Sequence, residues 1–345
     1  MSKQTAVVIC PGRGVYNKPE LGYLGRHHAD LAPLFARFDE ERKQLGQETL
    51  AALDGAASFS ISTHTRGDNA SGLIYSATLG DFLSIDRNKI EIVAVTGNSM
   101  GWYSTLACGG ALSPENGFKV VNSMGTLMQR SLIGGQLIYP FIAEDWKAAL
   151  ERKAELLALV AAINEKPNHV LTLSIDLGGM LVLAGDEAGL SAFQAAVPVV
   201  QERFPMRLSN HAGFHSHLQA PVAEEGRRRL PASLFGQPSL PMIDGRGAIW
   251  WPGAADQQEL WDYTLGHQVT ETYDFTHAIR VAAREFAPDL FIVPGPGTTL
   301  GGAVAQSLIQ AGWLGLASKA DFQARQASNP LLVAMGMEEQ RSLVV

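Results

Sequence analysis

A serine lies at the centre of the pentapeptide 97–101, whose sequence is GNSMG. The apolar run 90–95 before it predicts a buried strand, and the apolar segment 102–107 after it predicts a helix. The pattern G-x-S-x-G between a strand and a helix is typical of a nucleophile elbow, where small flanking residues let the backbone turn sharply and present the hydroxyl. Ser99 is therefore the candidate nucleophile of an acyl-serine enzyme. The alternative is an ordinary turn between a strand and a helix.

A serine hydroxyl is a weak nucleophile at neutral pH, so Ser99 needs a base within hydrogen-bond reach and donors for a developing oxyanion. Three histidines, His211, His215 and His217, follow Ser99 in the chain order of several acyl-serine enzymes. Their spacing does not choose among them. Two alternatives are a metal site and a purely structural role, although no cysteine or paired acidic residue completes a recognisable zinc spacing.

The composition limits the classes of protein and partner. The chain has 345 residues, of which 46% are hydrophobic and 18% charged, enough to fill the core of a large α/β unit and of a smaller inserted one. A net charge of -7 argues against broad attraction to nucleic acid or to an anionic membrane. The two cysteines, Cys10 and Cys108, predict neither a disulfide framework nor a metal cluster. Without a signal-peptide core or a long apolar run, we expect a soluble cytoplasmic protein, a monomer or weak oligomer.

The order of predicted elements divides the chain into two subdomains. Strand-like runs that end in glycine-rich turns alternate with helical segments over residues 1–134 and 211–345, which predicts a large α/β subdomain. Between them, residues 135–210 have the order β-α-β-β-α-β, which is typical of a ferredoxin-like unit. The insertion therefore separates Ser99 from the three histidines in sequence.

Five short blocks, in this order, resemble those of the malonyl-CoA:acyl carrier protein transacylase family, which includes the acyltransferase domains of fatty-acid and polyketide synthases. The resemblance covers nearly the whole chain. The blocks are 11–14 (PGRG, similar to P-G-Q-G), 97–101 (GNSMG, similar to G-H-S-x-G), 124–129 (MGTLMQ, similar to R-G-x-x-M-Q), 214–216 (FHS) and 295–297 (GPG).

The resemblance implies an α/β-hydrolase-like large subdomain with an inserted ferredoxin-like subdomain and a cleft between them. It selects His215 as the base and implies an oxyanion hole formed by the backbone N–H groups of Arg13 and Met100. It also implies that a main-chain carbonyl at Gln268 orients the base. The implied reaction is ping-pong acyl transfer from acyl-CoA to the phosphopantetheine thiol of holo acyl carrier protein. These thioesters are substrates, and no metal or redox cofactor is expected.

Several positions depart from the family pattern. Met124 replaces the arginine that pairs with the malonyl carboxylate, and a carboxylate buried without a partner is costly. Ala70 replaces a pocket glutamine, and Phe214 resembles the aromatic residue of acyltransferases that take small unbranched groups. We therefore predict an acyl pocket lined by these three residues and an uncarboxylated short acyl group. Arg13 replaces the glutamine of the family pattern. As an alternative to the missing arginine, its guanidinium is a candidate ion-pair partner for an acyl carboxylate, and it is equally a candidate partner for a CoA phosphate.

The basic run Arg227, Arg228 and Arg229 ends a predicted helix. It is a candidate docking site for an acidic carrier protein, and the alternative is a solvated helix end that favours cations. Two further alternatives concern the whole chain. One is a hydrolase of acyl carrier protein thioesters, in which water replaces the second thiol, and the other is a scaffold that binds carriers through a decayed site.

Overall fold

The computed structural model describes residues 3–345. Eleven strands and sixteen α-helices lie in this part of the chain. The strands are β1 (Gln4–Cys10), β2 (Ile90–Gly97), β3 (Gly135–Pro140), β4 (Leu171–Leu177), β5 (Met180–Gly185), β6 (Met206–Arg207), β7 (Met242–Ile243), β8 (Ile249–Trp250), β9 (Tyr273–Asp274), β10 (Leu290–Val293) and β11 (Leu332–Ala334).

The helices surround the two sheets that these strands form. They are α1 (Tyr23–His27), α2 (Ala32–Gln44), α3 (Leu50–Asp54), α4 (Ile61–His64), α5 (Gly67–Ser84), α6 (Gly101–Cys108), α7 (Pro114–Arg130), α8 (Leu150–Asn164), α9 (Glu187–Ala196), α10 (Ala220–Arg229), α11 (Gln257–Asp262), α12 (Gln268–Thr270), α13 (Phe275–Phe286), α14 (Leu300–Gln310), α15 (Lys319–Ser328) and α16 (Glu338–Arg341). None of the helices described is long and apolar enough to cross a membrane.

The larger sheet has the strand order β11-β10-β1-β2-β7-β8, and only its last pair is antiparallel. Strand β1 lies at its centre with Ala6 to Cys10 fully buried, as expected for a strand covered on both faces. The carboxyl ends of neighbouring parallel strands meet at one edge of a sheet. The segments 11–14, 98–99 and 294–297, which follow β1, β2 and β10, therefore lie at the same edge.

The smaller sheet has the order β6-β3-β5-β4-β9. Its first four strands are antiparallel and, with helices α8 and α9, follow the β-α-β-β-α-β order of a ferredoxin-like unit. All four fall within the predicted insertion 135–210, whose boundaries stay a prediction. Strand β9 comes from the later part of the chain and pairs with β4 in parallel, at Ile175 with Tyr273 and Asp176 with Asp274. The two subdomains thus share a sheet.

One helix of the insertion is shorter than its sequence pattern predicts. The amphipathic segment 187–204 suggests one continuous helix, but α9 ends at Ala196. Val197, which precedes Pro198, is extended with ψ of 147°. A residue before proline is disfavoured in the helical region, and proline has no N–H to continue the hydrogen-bond ladder. The chain therefore leaves the helix and returns through residues 198–205 to β6.

Candidate active site

Ser99 occupies a strained turn between β2 and α6. Its φ is 54°, in the left-handed region that side chains other than glycine rarely adopt. The flanking glycines allow the turn because a Cβ atom at Gly97 would lie 2.5 Å from the backbone of Gly101, and one at Gly101 would lie 2.2 Å from the carbonyl oxygen of Cys10. The turn presents the hydroxyl at the carboxyl edge of the larger sheet, which is the geometry of a nucleophile elbow.

His215 contacts Ser99 across a sequence separation that includes the whole insertion. Its Nε2 lies 2.7 Å from the Ser99 Oγ, and its Nδ1 lies 2.7 Å from the backbone carbonyl oxygen of Gln268. Because a carbonyl only accepts, Nδ1 carries the proton and donates it to Gln268. Nε2 is then the acceptor of the serine hydroxyl proton. This arrangement has the geometry of a nucleophile, a base and a group that orients the base.

Gln268 contributes more than its carbonyl. It follows a π-helical turn, Tyr263–His267, at the start of α12. Its side-chain Nε2 donates to the backbone carbonyl of Ser99 at 3.0 Å, and its Oε1 accepts from the Tyr103 hydroxyl at 3.1 Å. One residue therefore holds both the base and the backbone of the elbow, whereas the sequence predicted only its contact with the base.

Burial sets the protonation state of the base. His215 is 4% exposed, and burial lowers the pKa of its imidazole to about 4, although the hydrogen bond to the Gln268 carbonyl acts in the opposite direction. The charged form is disfavoured because it loses its hydration in the interior. His215 is thus neutral at physiological pH and ready to accept a proton.

Two cavities meet at Ser99. The large cavity, of about 450 Å³, extends between the subdomains, and its walls include apolar side chains of β3, β4, β5 and α14. The small cavity, of about 20 Å³, lies against α5, α6 and α7. Ser99, Arg13 and Phe214 line both. The residues of the small cavity are Arg13, Ser71, Ser99, Met100, Tyr103, Gly125, Met128, Phe214, His215, Gln268 and Val269.

Comparisons with known proteins agree with this geometry. The chain is 25% identical over 286 residues to a malonyl CoA-acyl carrier protein transacylase of Bacillus subtilis, which covers 81% of this chain and 84% of that protein. It superposes on the crystal structure of the malonyl-CoA:ACP transacylase of Synechocystis with a TM-score of 0.75 and 16% identity, over 99% of this chain and 100% of that one. No family model matches the chain. The chain is thus similar to malonyl-CoA:acyl carrier protein transacylases in sequence and in fold.

The predicted resemblance and the predicted fold are thus confirmed. The fold is that of the transacylases, with a large α/β-hydrolase-like subdomain and an inserted ferredoxin-like one. A further similar structure is a type II polyketide acyl carrier protein in complex with its malonyl-transacylase, with a TM-score of 0.69 and 18% identity over 89% of this chain and 93% of that one.

The oxyanion positions that the transacylase resemblance implies are both at the site. Arg13 and Met100 line the small cavity together with Ser99. Among the hydrogen bonds of residues 3–345, neither backbone N–H has an acceptor. Two backbone donors beside a nucleophile are the arrangement that stabilises a tetrahedral oxyanion. Their role stays a prediction that this geometry supports.

The arginine that departs from the transacylase pattern points its side chain into the site. The Arg13 Nη2 donates to the carbonyl oxygens of Thr65 and Asn210 at 2.9 and 3.1 Å, and the guanidinium lies 5.6 Å from the centre of the Phe214 ring. No carboxylate of residues 3–345 lies within ion-pair distance of it. Burial lowers the pKa of Arg13 to about 10, and the charge of Asp68 only partly opposes this. Its Nε and Nη1 atoms have no acceptor among these residues.

The structure corrects two of the three predicted acyl-pocket residues. Met124 is fully buried and lines neither cavity, because its sulfur packs towards Gly226 of α10. The next residue, Gly125, and Met128 one turn later face Ser99 instead. Successive residues of a helix point about 100° apart, so the register along α7 decides which of them lines the cavity.

Ala70 shows the same effect on α5. It borders an outer groove beside Arg13, whereas its neighbour Ser71 lines the small cavity. The third residue, Phe214, does lie in the walls of both cavities at Ser99. Phe214 is therefore the predicted pocket residue that the structure brings to the nucleophile.

The three histidines of the block 211–217 have separate environments. His215 contacts Ser99, His211 contacts Gln136 with 2.8 Å between Nδ1 and Oε1, and His217 is exposed. Within residues 3–345, no three His, Cys, Asp or Glu side chains converge on a possible metal site. The spacing of the three histidines in the sequence did not distinguish these roles, whereas their contacts and exposure in the folded protein do.

The basic run at the end of α10 is largely paired within the molecule. Arg227 Nη1 lies 2.7 Å from Asp262, and its guanidinium lies over the Trp261 ring. Arg228 and Arg229 share the carboxylate of Glu225 at 2.6 and 2.5 Å. These exposed pairs are weak and open to exchange with a partner. Carrier docking at the run stays a prediction.

Proposed function

We propose that the protein transfers a short acyl group from coenzyme A to the thiol of holo acyl carrier protein through an acyl ester on Ser99. The observation that carries the proposal is the 2.7 Å contact between Ser99 Oγ and a buried neutral His215 whose other nitrogen is held by the Gln268 carbonyl. The related protein from Bacillus subtilis is a transacylase, which agrees with this chemistry.

In the first half-reaction, the Ser99 oxygen attacks the thioester carbonyl carbon and its proton passes to His215 Nε2. The oxyanion that forms accepts hydrogen bonds from the N–H groups of Arg13 and Met100. The C–S bond then breaks, and the departing sulfur takes the proton from His215. Free coenzyme A leaves, and the acyl group stays on Ser99 as an ester.

The second half-reaction reverses these steps with a different thiol. The thiol of the carrier's phosphopantetheine gives its proton to His215, and its sulfur attacks the ester carbon. When the tetrahedral intermediate collapses, the C–O bond breaks and Ser99 recovers its proton from His215. The neighbouring structure of a transacylase bound to an acyl carrier protein supports this choice of acceptor.

The cavities support a short acyl group. The large cavity is the one with room for a thioester arm, which leaves the small cavity of about 20 Å³ for the acyl chain. A space of this size holds only one or two water-sized groups. Met124 lies outside the cavity and no longer supports the predicted preference for an uncarboxylated group. Phe214, which lines the cavity, still supports it. We retain it as a prediction that competition between substrates decides.

The test is to incubate the protein with an equimolar mixture of acetyl-CoA and malonyl-CoA and to measure the mass of the intact chain. We expect one acyl adduct on Ser99, with acetyl exceeding malonyl, and transfer of the acyl group when holo carrier protein is added. Ser99→Ala abolishes the adduct, whereas Ser328→Ala, at an exposed serine on α15, retains it. If the wild-type chain forms no adduct, the proposal is wrong, and the result supports the alternative of a scaffold that binds carriers through a decayed site.

The same assay separates transfer from hydrolysis. With no carrier present, a transferase holds the acyl ester, whereas a hydrolase releases free acid and turns over. His215 is deeply buried, and apolar side chains make up much of the cavity wall beside Ser99. Apolar walls disfavour a bound water that would compete with the thiol. We therefore expect thiol-dependent release, and rapid release of acid without a thiol would support the hydrolase.

A further inference from the structure

His211 lies beside the active site but takes no part in the steps above. Its ring lines the large cavity with Ser99 and packs 5.7 Å from the Phe214 ring. Burial and the nearby charge of Arg13 lower the pKa of His211 to about 3, so the imidazole is neutral. A neutral imidazole has one donor and one acceptor nitrogen, and its neighbours decide which is which.

A chain of buried hydrogen bonds fixes that choice. The Ser174 hydroxyl donates to the backbone carbonyl of Phe214 at 2.8 Å. Its single proton is then in use, so Ser174 accepts from the Gln136 Nε2 at 2.7 Å. The Gln136 amide therefore presents its oxygen to His211 Nδ1 at 2.8 Å. Nδ1 carries the proton, and Nε2 is left as an acceptor.

This acceptor has no donor within residues 3–345, since the only hydrogen bond of the His211 side chain is the one at Nδ1. The partners that fix it are deeply buried, with Gln136 3% exposed and Ser174 fully buried. Much of the wall of the large cavity that His211 lines is apolar, including Ile138, Val182 and Leu208. A polar N–H that enters such a cavity is costly unless it meets an acceptor.

The proposed function identifies a group that brings such an N–H. The pantetheine arm common to coenzyme A and carrier protein contains amides, whereas acetyl and ionised malonyl groups have no hydrogen-bond donor. We propose that His211 Nε2 accepts a hydrogen bond from an amide N–H of the pantetheine arm in the large cavity. This inference rests on the proposed function, and it makes His211 a binding residue for both thioester substrates.

One other acceptor competes for this role. Asn98 also lines the large cavity, and its buried Oδ1 has no partner among residues 3–345. It differs from His211 in position, because it precedes the nucleophile directly in the chain. In addition, no chain of buried hydrogen bonds fixes the Asn98 amide as one fixes the tautomer of His211. Substitution of each residue in turn decides between the two acceptors.

The experiment uses two small acetyl thioesters of equal length. One is the thioester of N-acetylcysteamine, which has the amide N–H, and the other is its ester analogue, in which oxygen replaces that N–H. The measurement is kcat/KM for release of the thiol. For the wild-type protein we expect a preference of about tenfold for the amide, the value of one hydrogen bond in a buried site.

His211→Phe brings the amide-to-ester ratio to about one by lowering kcat/KM for the amide probe alone. The matched control His217→Phe, at the exposed histidine of the same block, keeps the wild-type ratio. Gln136→Met removes the hydrogen-bond partner of His211 Nδ1, so the proton can then lie on either ring nitrogen. We expect its amide-to-ester ratio to lie between that of the wild type and that of His211→Phe. This variant tests the inference even where His211→Phe does not fold. A wild-type ratio near one overturns the inference.

The inference also fails when His211→Phe keeps the wild-type ratio or when Asn98→Ala, rather than His211→Phe, removes it. Detection of the acetyl adduct on Ser99 with both probes separates these results from failure of the proposed function. An adduct that forms with equal efficiency from both probes overturns only the role of His211. The absence of any adduct overturns the proposed function itself.

Discussion

Ser99 and His215 share a backbone conformation as well as a hydrogen bond. Each has φ of 54°, in the left-handed region, and neither is a glycine. Such conformations cost about 1–3 kcal/mol each and persist where the surrounding structure fixes them. The two residues that carry the proposed chemistry are therefore both held in strained positions, with their reacting atoms 2.7 Å apart.

The glycines around Ser99 predict a sharp difference between two substitutions. Gly101→Ala places a Cβ atom 2.2 Å from the Cys10 carbonyl, a backbone atom that cannot rotate away. We expect the free energy of unfolding to fall by about 2–3 kcal/mol and acylation of Ser99 to be lost. Gly25→Ala on α1 meets no atom within 4 Å and should leave both unchanged. Denaturant titration and intact-mass labelling measure the two effects, and equal behaviour of the variants would contradict the elbow geometry.

The pKa of His215 predicts the pH dependence of acylation. The base acts only when it is neutral, and burial lowers its pKa to about 4. The rate of acylation should therefore rise as the pH increases through about 4 and stay level between pH 5.5 and 8. With an ordinary histidine as the base, whose pKa is about 6.5, the rate would fall below pH 6.5. The measurement is kcat/KM for thiol release from acetyl-CoA against pH. An acid limb centred near pH 6.5 would show that His215 is not held as the structure indicates.

The buried carboxylate of Asp81 predicts a large effect on stability. Asp81 is fully buried, accepts from His28 at 2.8 Å and from Arg341 at 2.5 Å through one oxygen, and contacts Tyr23 and the Gly295 N–H through the other. Asp81→Asn removes the negative charge and replaces one acceptor oxygen by an NH2 group. This donor then faces the donors that the carboxylate had accepted from. We expect the free energy of unfolding to fall by about 3 kcal/mol at pH 7.

The pH dependence of this loss follows from the pKa of Asp81. Burial alone would raise that pKa, but the hydrogen bond from His28 and the charge of Arg341 outweigh it and hold the pKa below its ordinary value. The stabilisation is present above the unfolded pKa of about 4 and is lost as the pH falls through the lower folded value. The variant and the wild type should thus differ fully at pH 7 and converge in acid. Asp30→Asn, at an exposed position, is the control.

The sequence predicted the parts of the site that depend on local patterns. The elbow at Ser99 needs only a strand, a helix and the two glycines between them, all of which are visible in the order of residues. The resemblance then selected His215 and Gln268, which the structure places within hydrogen-bond distance of one another and of Ser99. The order of strands and helices predicted the α/β class and the ferredoxin-like insertion, whereas the resemblance implied the α/β-hydrolase-like form of the large subdomain.

Of the three side chains that the sequence predicted to face the cavity, only Phe214 does so. Met124 and Ala70 lie one residue away from the positions that line it, and an error of one residue turns a helical side chain by about 100°. The buried chain from His211 through Gln136 and Ser174 joins residues from two strands of the insertion and the loop before His215. No local pattern signals such contacts, because they form only when the insertion folds against the large subdomain.

Arg13 provides the last prediction, which concerns the charge of the acyl group. Arg13 lines both cavities, its guanidinium lies 5.6 Å from the Phe214 ring, and no carboxylate of residues 3–345 pairs with it. A carboxylate on the acyl group could reach its unpartnered Nε and Nη1 donors, an interaction worth about 1.5–3 kcal/mol. Arg13→Met keeps the backbone N–H of the oxyanion hole but removes this partner. We expect the ratio of malonyl to acetyl loading on Ser99 to fall about tenfold or more.

The control for this prediction is Arg203→Met. Arg203 is an exposed arginine of the large cavity that stacks on Phe204 and does not line the small cavity. Its removal should leave the malonyl-to-acetyl ratio unchanged. Equal losses of both acyl groups in Arg13→Met would assign the side chain a structural role, because a carboxylate contact affects only the charged substrate. If the wild-type protein loads malonyl better than acetyl and Arg13→Met reverses the order, the predicted preference for an uncarboxylated acyl group is wrong and Arg13 determines the specificity.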